Sequence, residues 1–112
     1  MITRFRDGRV TVLLDRRERI LFYLAEQPMP EGKYDSRGYQ RTIEAIAEAT
    51  GIPPSSTYGI LREMEDAGEV TKLAEMYHGQ VRTRTRYVTR ALMYALTHAG
   101  ELLVEDLRRR SA

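Results

Sequence analysis

Arg82, Arg84 and Arg86 alternate with Thr83, Thr85 and Tyr87. On an extended segment successive side chains point to opposite faces, so the three guanidinium groups share one side of the strand. Such a row suits anions, because each guanidinium can both neutralise a phosphate and donate a forked pair of hydrogen bonds to it. No acidic residue occurs between Glu75 and Glu101, and Arg90 adds a further cation to the stretch. The competing reading of the same row is a charged, solvated edge that discourages strand pairing. A second group comprises Ser55, Ser56, Thr57, Tyr58 and Arg62, hydroxyls and a cation of the kind that reach base edges and phosphates. The bland reading of that group is first-turn capping plus a packed aromatic. Arg41 and Thr42 form a third, at the start of a helix where the backbone of a duplex is within reach.

Other chemistries find little support. With no cysteine and only two histidines, His78 and His98, the chain has no disulfide or thiolate zinc site and is expected to hold no metal or other cofactor. No nucleophile, base and orienting group occur at a recognisable spacing, and no glycine-rich phosphate loop is present, so an enzyme is not expected. The net charge of +2 carries no argument for nucleic acid by itself; its distribution does. Glu44, Glu48, Glu63, Glu65, Asp66 and Glu69 surround a single basic residue, Arg62, so a polyanion must avoid most of that surface. The chain is 112 residues long and 42% apolar, which fits one domain (1–112) with a modest core that oligomerisation would enlarge. No run approaches the roughly 18 apolar residues of a membrane span, and the opening residues carry scattered arginines, so a cytoplasmic location is expected.

These groups need a scaffold. Residues 1–14 form an arm or a hairpin turning at Asp7-Gly8. Asp15 and Glu18 have the spacing of a capping box, and Ile20, Leu21 and Leu24 continue a helix over about 15–27, ended by Pro28 and Pro30. The loop through residue 41 is long and polar, with room for one short strand. Thr42 caps a second helix over about 42–50 with Gly51 as its left-handed terminator. Pro54 then opens a third helix whose inner face is Ile60, Leu61 and Met64, stopped by Ala67-Gly68. Residues 70–77 and 81–88 read as two strands of a hairpin turning at His78-Gly79-Gln80.

The end of the chain admits two readings. Leu92, Ala95, Leu96, Ala99, Leu103 and Leu107 fit one stripe of a long helix over 89–110, and the helix-forming residues of 91–96 favour it. Its leucines, Leu92, Leu96, Leu103 and Leu107, would form a homodimer interface. The other reading extends the strand to Leu96, starts a shorter helix at Thr97 and moves the hairpin tip to 82–86.

Helix, short helix, tight turn, helix and hairpin is the winged-helix order. The stretch from Thr42 to Val70, with Ile46-Ala47-Glu48-Ala49-Thr50-Gly51-Ile52, then Leu61, Met64 and Ala67-Gly68, resembles the helix-turn-helix of winged-helix regulators such as the MarR and PadR families. Tyr58 matches a tyrosine common in PadR-like proteins. Leu96-Thr97-His98-Ala99-Gly100 is similar to the Leu-Thr-x-x-Gly after their wing, which favours the shorter helix. Glu69 departs from the apolar residue usual after Ala-Gly, and the 28–41 loop is longer than usual. The resemblance implies an α+β, mainly α fold with a two-stranded wing and a C-terminal helix. It implies a homodimeric transcription regulator that binds double-stranded DNA, repressor-like in type; ligand sensing is not expected, because no segment of the sequence requires an effector pocket. The alternatives are a winged-helix protein-interaction module and a replication or partition protein on the same fold.

Overall fold

The computed structural model describes residues 2–4, 11–82 and 87–111. Local signals set the first helices. Asp15 caps α1 (Arg16–Glu26): the Glu18 amide donates to Asp15 Oδ1 at 2.7 Å, and the Asp15 amide donates to Glu18 Oε1 at 3.1 Å. Thr42 caps α2 (Ile43–Thr50), with the Ala45 amide donating to its Oγ1 at 3.3 Å. Gly51 follows at φ 74°, a left-handed conformation that a side chain would strain. Pro54 occupies the first turn of α3 (Pro54–Asp66). Ahead of α1, β1 (Ile2–Arg4) pairs antiparallel with β2 (Thr11–Leu13), as the hairpin reading required; its turn lies outside the described residues.

The apolar faces converge on one core. Ile20, Leu21 and Leu24 of α1 meet Ile46 of α2, Ile52 of the turn and Leu61 and Met64 of α3, and Tyr94, Val104 and Leu107 close the other side. Burying side chains of this size is worth about 1.5–3 kcal/mol each, which is the main force holding three short helices together.

The hairpin differs from the favoured expectation. β3 (Val70–Lys72) pairs with β6 (Tyr94–Leu96), and β4 (Tyr77–Arg82) pairs with β5 (Tyr87–Ala91), both antiparallel. His78-Gly79-Gln80 is therefore not the turn but lies within β4. Gly79 occupies an irregularity between His78 and Val81, where a Cβ would stand 2.3 Å from the Tyr77 hydroxyl oxygen. Only glycine leaves room for that ring. The last described pair is Arg82 with Tyr87, and residues 83–86 between them lie outside the described residues.

The long helix over 89–110 is likewise replaced by strand and a shorter helix, α4 (His98–Ser111). Ala, Leu and Met propensity in 91–96 yields to sheet pairing, because Met93, Tyr94 and Ala95 are buried only when this segment lies against Val70 and its neighbours. Thr97 starts α4. Its Oγ1 accepts from the Gly100 amide at 3.1 Å and donates to the Gly68 carbonyl at 2.5 Å, while its own amide donates to the Glu69 carbonyl at 3.0 Å. A Cβ on Gly100 would stand 2.1 Å from the Glu69 carbonyl oxygen, so this residue must be glycine for α4 to sit on the end of α3. The Leu-Thr-x-x-Gly pattern is a docking device.

The long loop folds back over the sheet instead of forming a strand. It carries a 3-10 segment over Ser36–Arg41, and Thr42 makes an isolated bridge with Met93. A Cβ on Gly38 would lie 2.7 Å from Met93 Sδ, the Tyr39 and Tyr77 rings meet edge to face at 6.0 Å, and the His78 amide donates to the Lys33 carbonyl at 2.7 Å. Tyr77, Val81 and Met93 thus form a second small core, with Tyr39, Leu73 and Ala91 packed against it. No helix among the described residues is long and apolar enough to cross a membrane.

Candidate nucleic-acid interface

α3 is buried along Thr57, Leu61 and Met64, which leaves Ser55, Tyr58, Gly59, Arg62, Glu63 and Asp66 exposed on its outer side. The N-terminal half of that side is small and polar. The acids cluster at the other end, where Glu65 approaches Lys72 Nζ at 3.8 Å. Tyr58 is 44% exposed, and the Arg62 guanidinium lies over its ring at 6.0 Å from the centroid. Ser56 is half-buried.

Three expected contacts are corrected by burial. Thr57 is fully buried and its Oγ1 donates to the Pro53 carbonyl at 3.0 Å, so it locks the first turn of α3 from within. Thr42 is equally buried: its Oγ1 accepts the cap bond described above and donates to the Tyr39 carbonyl at 2.7 Å. Arg41 is 3% exposed, and its Nε, Nη1 and Nη2 donate to the carbonyls of Pro28, Tyr94 and Gln27 at 3.1, 3.1 and 2.5 Å. Burial pulls its pKa below the ordinary arginine value. The guanidinium ties the end of α1 and the loop to β6, with one N–H of each nitrogen given to a carbonyl inside the protein.

The leucines are redistributed as well. Leu92 and Leu96 precede α4 and pack beside the main core, Leu107 is buried in that core, and Leu103 is 39% exposed, so the four do not make one interface stripe. Leu102, absent from the expected set, is 51% exposed. The spacing count failed because it ran one helical period through a strand. Of the wing arginines, Arg84 and Arg86 lie outside the described residues, and for Arg82 only the strand position is described.

Sequence reasoning also missed a contact that its own anomaly signalled. Glu69, out of pattern after Ala-Gly, accepts from Arg17 of α1 through both oxygens, at 2.8 Å from Nε and 2.5 Å from Nη2. This forked pair raises the pKa of Arg17. Arg19 Nη1 donates to the Thr50 carbonyl at the end of α2 at 2.7 Å. Arg17 and Arg19 therefore hold the ends of α3 and α2 in place, while Arg16 is exposed.

Comparison with known proteins agrees with this geometry. Residues 13–74, from β2 through β3, match the IclR helix-turn-helix domain. Among solved structures, the chain is similar to S. aureus MepR (22% identity, 87% of this chain and 57% of that one, TM-score 0.59). It is similar also to CouR from Rhodococcus jostii RHA1 bound to p-coumaroyl-CoA (21%, 88% and 55%, TM-score 0.55). A third is Lactococcus lactis ZitR, a zinc-responsive MarR family member (16%, 97% and 60%, TM-score 0.54). At these identities the likeness is one of fold, and this chain spans 57% of MepR, 55% of CouR and 60% of ZitR. No curated protein is significantly similar to it. With the helix-turn-helix matched over 13–74, the chain belongs to the IclR helix-turn-helix domain family, and it shares the winged-helix fold of these solved structures.

Proposed function

We propose that the chain binds duplex DNA sequence-specifically, with α3 in the major groove and the wing on the backbone or minor groove, and that it acts as a homodimer. The observation that carries this reading is the outer face of α3, where Ser55, Tyr58, Gly59 and Arg62 are exposed together while the acids lie toward the far end. Small residues let a helix backbone approach the groove floor, and the Ser55 hydroxyl and the Arg62 guanidinium reach base edges there. Arg82, Arg84 and Arg86 supply phosphate contacts, which position the protein without specifying sequence. Repression is the simplest outcome, by occupancy of the site.

The same reading uses α4 for the dimer. Leu102 and Leu103 are its large exposed apolar residues, Glu101 lies in its first turn, and Arg108, Arg109 and Arg110 lie in its last, where Asp106 approaches Arg109 and Arg110 at 3.8 and 3.3 Å. Two such helices packed antiparallel about a two-fold axis would set each acidic half near the partner's basic half. Their α3 helices would then address half-sites about 34 Å apart.

Selection from random duplexes at moderate salt tests the function. A palindromic motif with half-sites about one turn apart is the expected result; no enriched motif, with a protein partner retained on the acidic α2–α3 surface, would replace the reading by a protein-interaction module. Light scattering at micromolar concentration is expected to give twice the chain mass, and a stable monomer would remove the dimer.

A further inference from the structure

A helical side chain leans toward the helix N-terminus, and residues four apart are surface neighbours. Arg62 follows this rule: its guanidinium lies over the Tyr58 ring at 6.0 Å. The alternative partners are at hand. Glu63 and Asp66 are exposed beside it and Glu65 is one turn away, yet Arg62 makes no ion pair among the described residues, and Glu65 is approached instead by Lys72 at 3.8 Å. The cation is therefore turned away from the acidic end of α3 and toward Ser55 and Gly59. At Gly59 nothing lies within 4 Å of where a Cβ would be, so the surface of α3 one turn before Arg62 is open.

We propose that Arg62 is the residue of α3 that reads a guanine, and that Tyr58 is a positioning residue which holds the guanidinium aimed at it. This rests on the reading of α3 as the groove-facing helix. The choice of base follows from donor chemistry: a guanidinium only donates, and guanine alone presents two adjacent acceptors, O6 and N7, on its major-groove edge. Adenine offers one acceptor beside a donor, which repels half of the fork. An exposed arginine on a solvated helix has many rotamers, and ring stacking restricts it to the one facing the open side of α3.

The test is selection from random duplexes with the full chain, comparing wild type with Tyr58→Phe, Tyr58→Leu, Arg62→Ala and the Tyr58→Leu/Arg62→Ala double variant. Wild type should enrich guanine at one position of each half-site. Arg62→Ala should lose about ten- to hundredfold of discrimination there. Tyr58→Leu should lose about two- to fivefold at the same position, the size of an exposed cation–π contact. Tyr58→Phe, which keeps the ring, should retain wild-type discrimination, and Tyr58→Leu should change nothing further once Arg62 is gone. Melting temperatures should stay close to wild type, since both side chains are on the surface. An Arg62-dependent position that is not guanine overturns the proposal, as does a Tyr58→Leu effect that persists without Arg62 or a Tyr58→Phe loss equal to that of Tyr58→Leu. If wild type itself enriches no motif, the reading of α3 falls, a result distinguishable from failure of the Tyr58–Arg62 pair alone.

Discussion

The start of α2 and the outer face of α3 carry the same residue types, and the fold uses them in opposite ways. Arg41 and Thr42 have their donors committed to Pro28, Gln27, Tyr94 and Tyr39 carbonyls inside the protein. Among the described residues Arg62 contacts the Tyr58 ring alone, and both remain exposed. Residue type and helix position do not tell these apart; what separates them is whether the polar groups of the protein have already consumed the donors. A buried cation with three carbonyl partners serves the fold, whereas the exposed one over an aromatic ring has no carbonyl or carboxylate partner among the described residues.

The sharpest way to break this contrast is at Arg41. Arg41→Met should lower stability by about 3 kcal/mol, because several buried carbonyls lose their donor at once, and calorimetry should show the loss without any change in DNA motif. An intact fold with weakened DNA binding would invert the assignment. Gly100→Ala tests the interior from another side: its Cβ would stand 2.1 Å from the Glu69 carbonyl oxygen, so backbone must shift, and a loss of about 2 kcal/mol is expected in chemical denaturation.

A smaller effect is expected from Tyr23, whose hydroxyl donates to the Gln40 carbonyl at 2.7 Å and whose pKa burial pushes up to about 12. The folded chain holds this proton more tightly than the unfolded chain does, so the contribution is complete below pH 10 and lost as pH rises from about 10 toward 12. Alkaline melting curves of wild type should fall across that window more steeply than those of Tyr23→Phe. The smallest effect carries the opposite sign. Gly59 lies on the exposed side of α3 with open space around it, so Gly59→Ala should stabilise the fold by up to about 1 kcal/mol while weakening DNA binding, if close backbone approach is what the glycine provides. Stabilisation with unchanged DNA affinity would show that the groove does not come that near.

What the sequence made legible was local. The Asp15–Glu18 capping box, the Thr42 cap, the Gly51 terminator and the Pro54 start each depend on residues within one turn, and all of them form as their spacing indicates. Misreadings arose where a distant segment decides. Arg41 is buried because the Tyr94 carbonyl, 53 residues away, accepts from it. Residues 94–96 are strand because Val70 lies opposite Leu96, a pairing that the helix propensity of the preceding Ala91, Leu92 and Met93 cannot anticipate. Gly79 was legible as a special position but not as which kind: its space is needed by the Tyr77 ring instead of a turn. For the interface, exposure of Ser55, Tyr58 and Arg62 follows from helical periodicity alone, whereas the burial of Thr57 beside them requires knowing which side of α3 meets α2.

Glu69 joins two hydrogen bonds in series: its amide donates to the Met64 carbonyl at 2.9 Å, and its carbonyl accepts from the Thr97 amide at 3.0 Å. Its side chain is held by Arg17 from α1 at the same time. Neither amide can meet solvent without disturbing this one residue, so the end of α3 and the beginning of α4 open as a unit. In hydrogen–deuterium exchange the amides of Glu69, Thr97 and Gly100 should therefore share a single protection factor, set by one subglobal opening and not by the fraying of either helix alone.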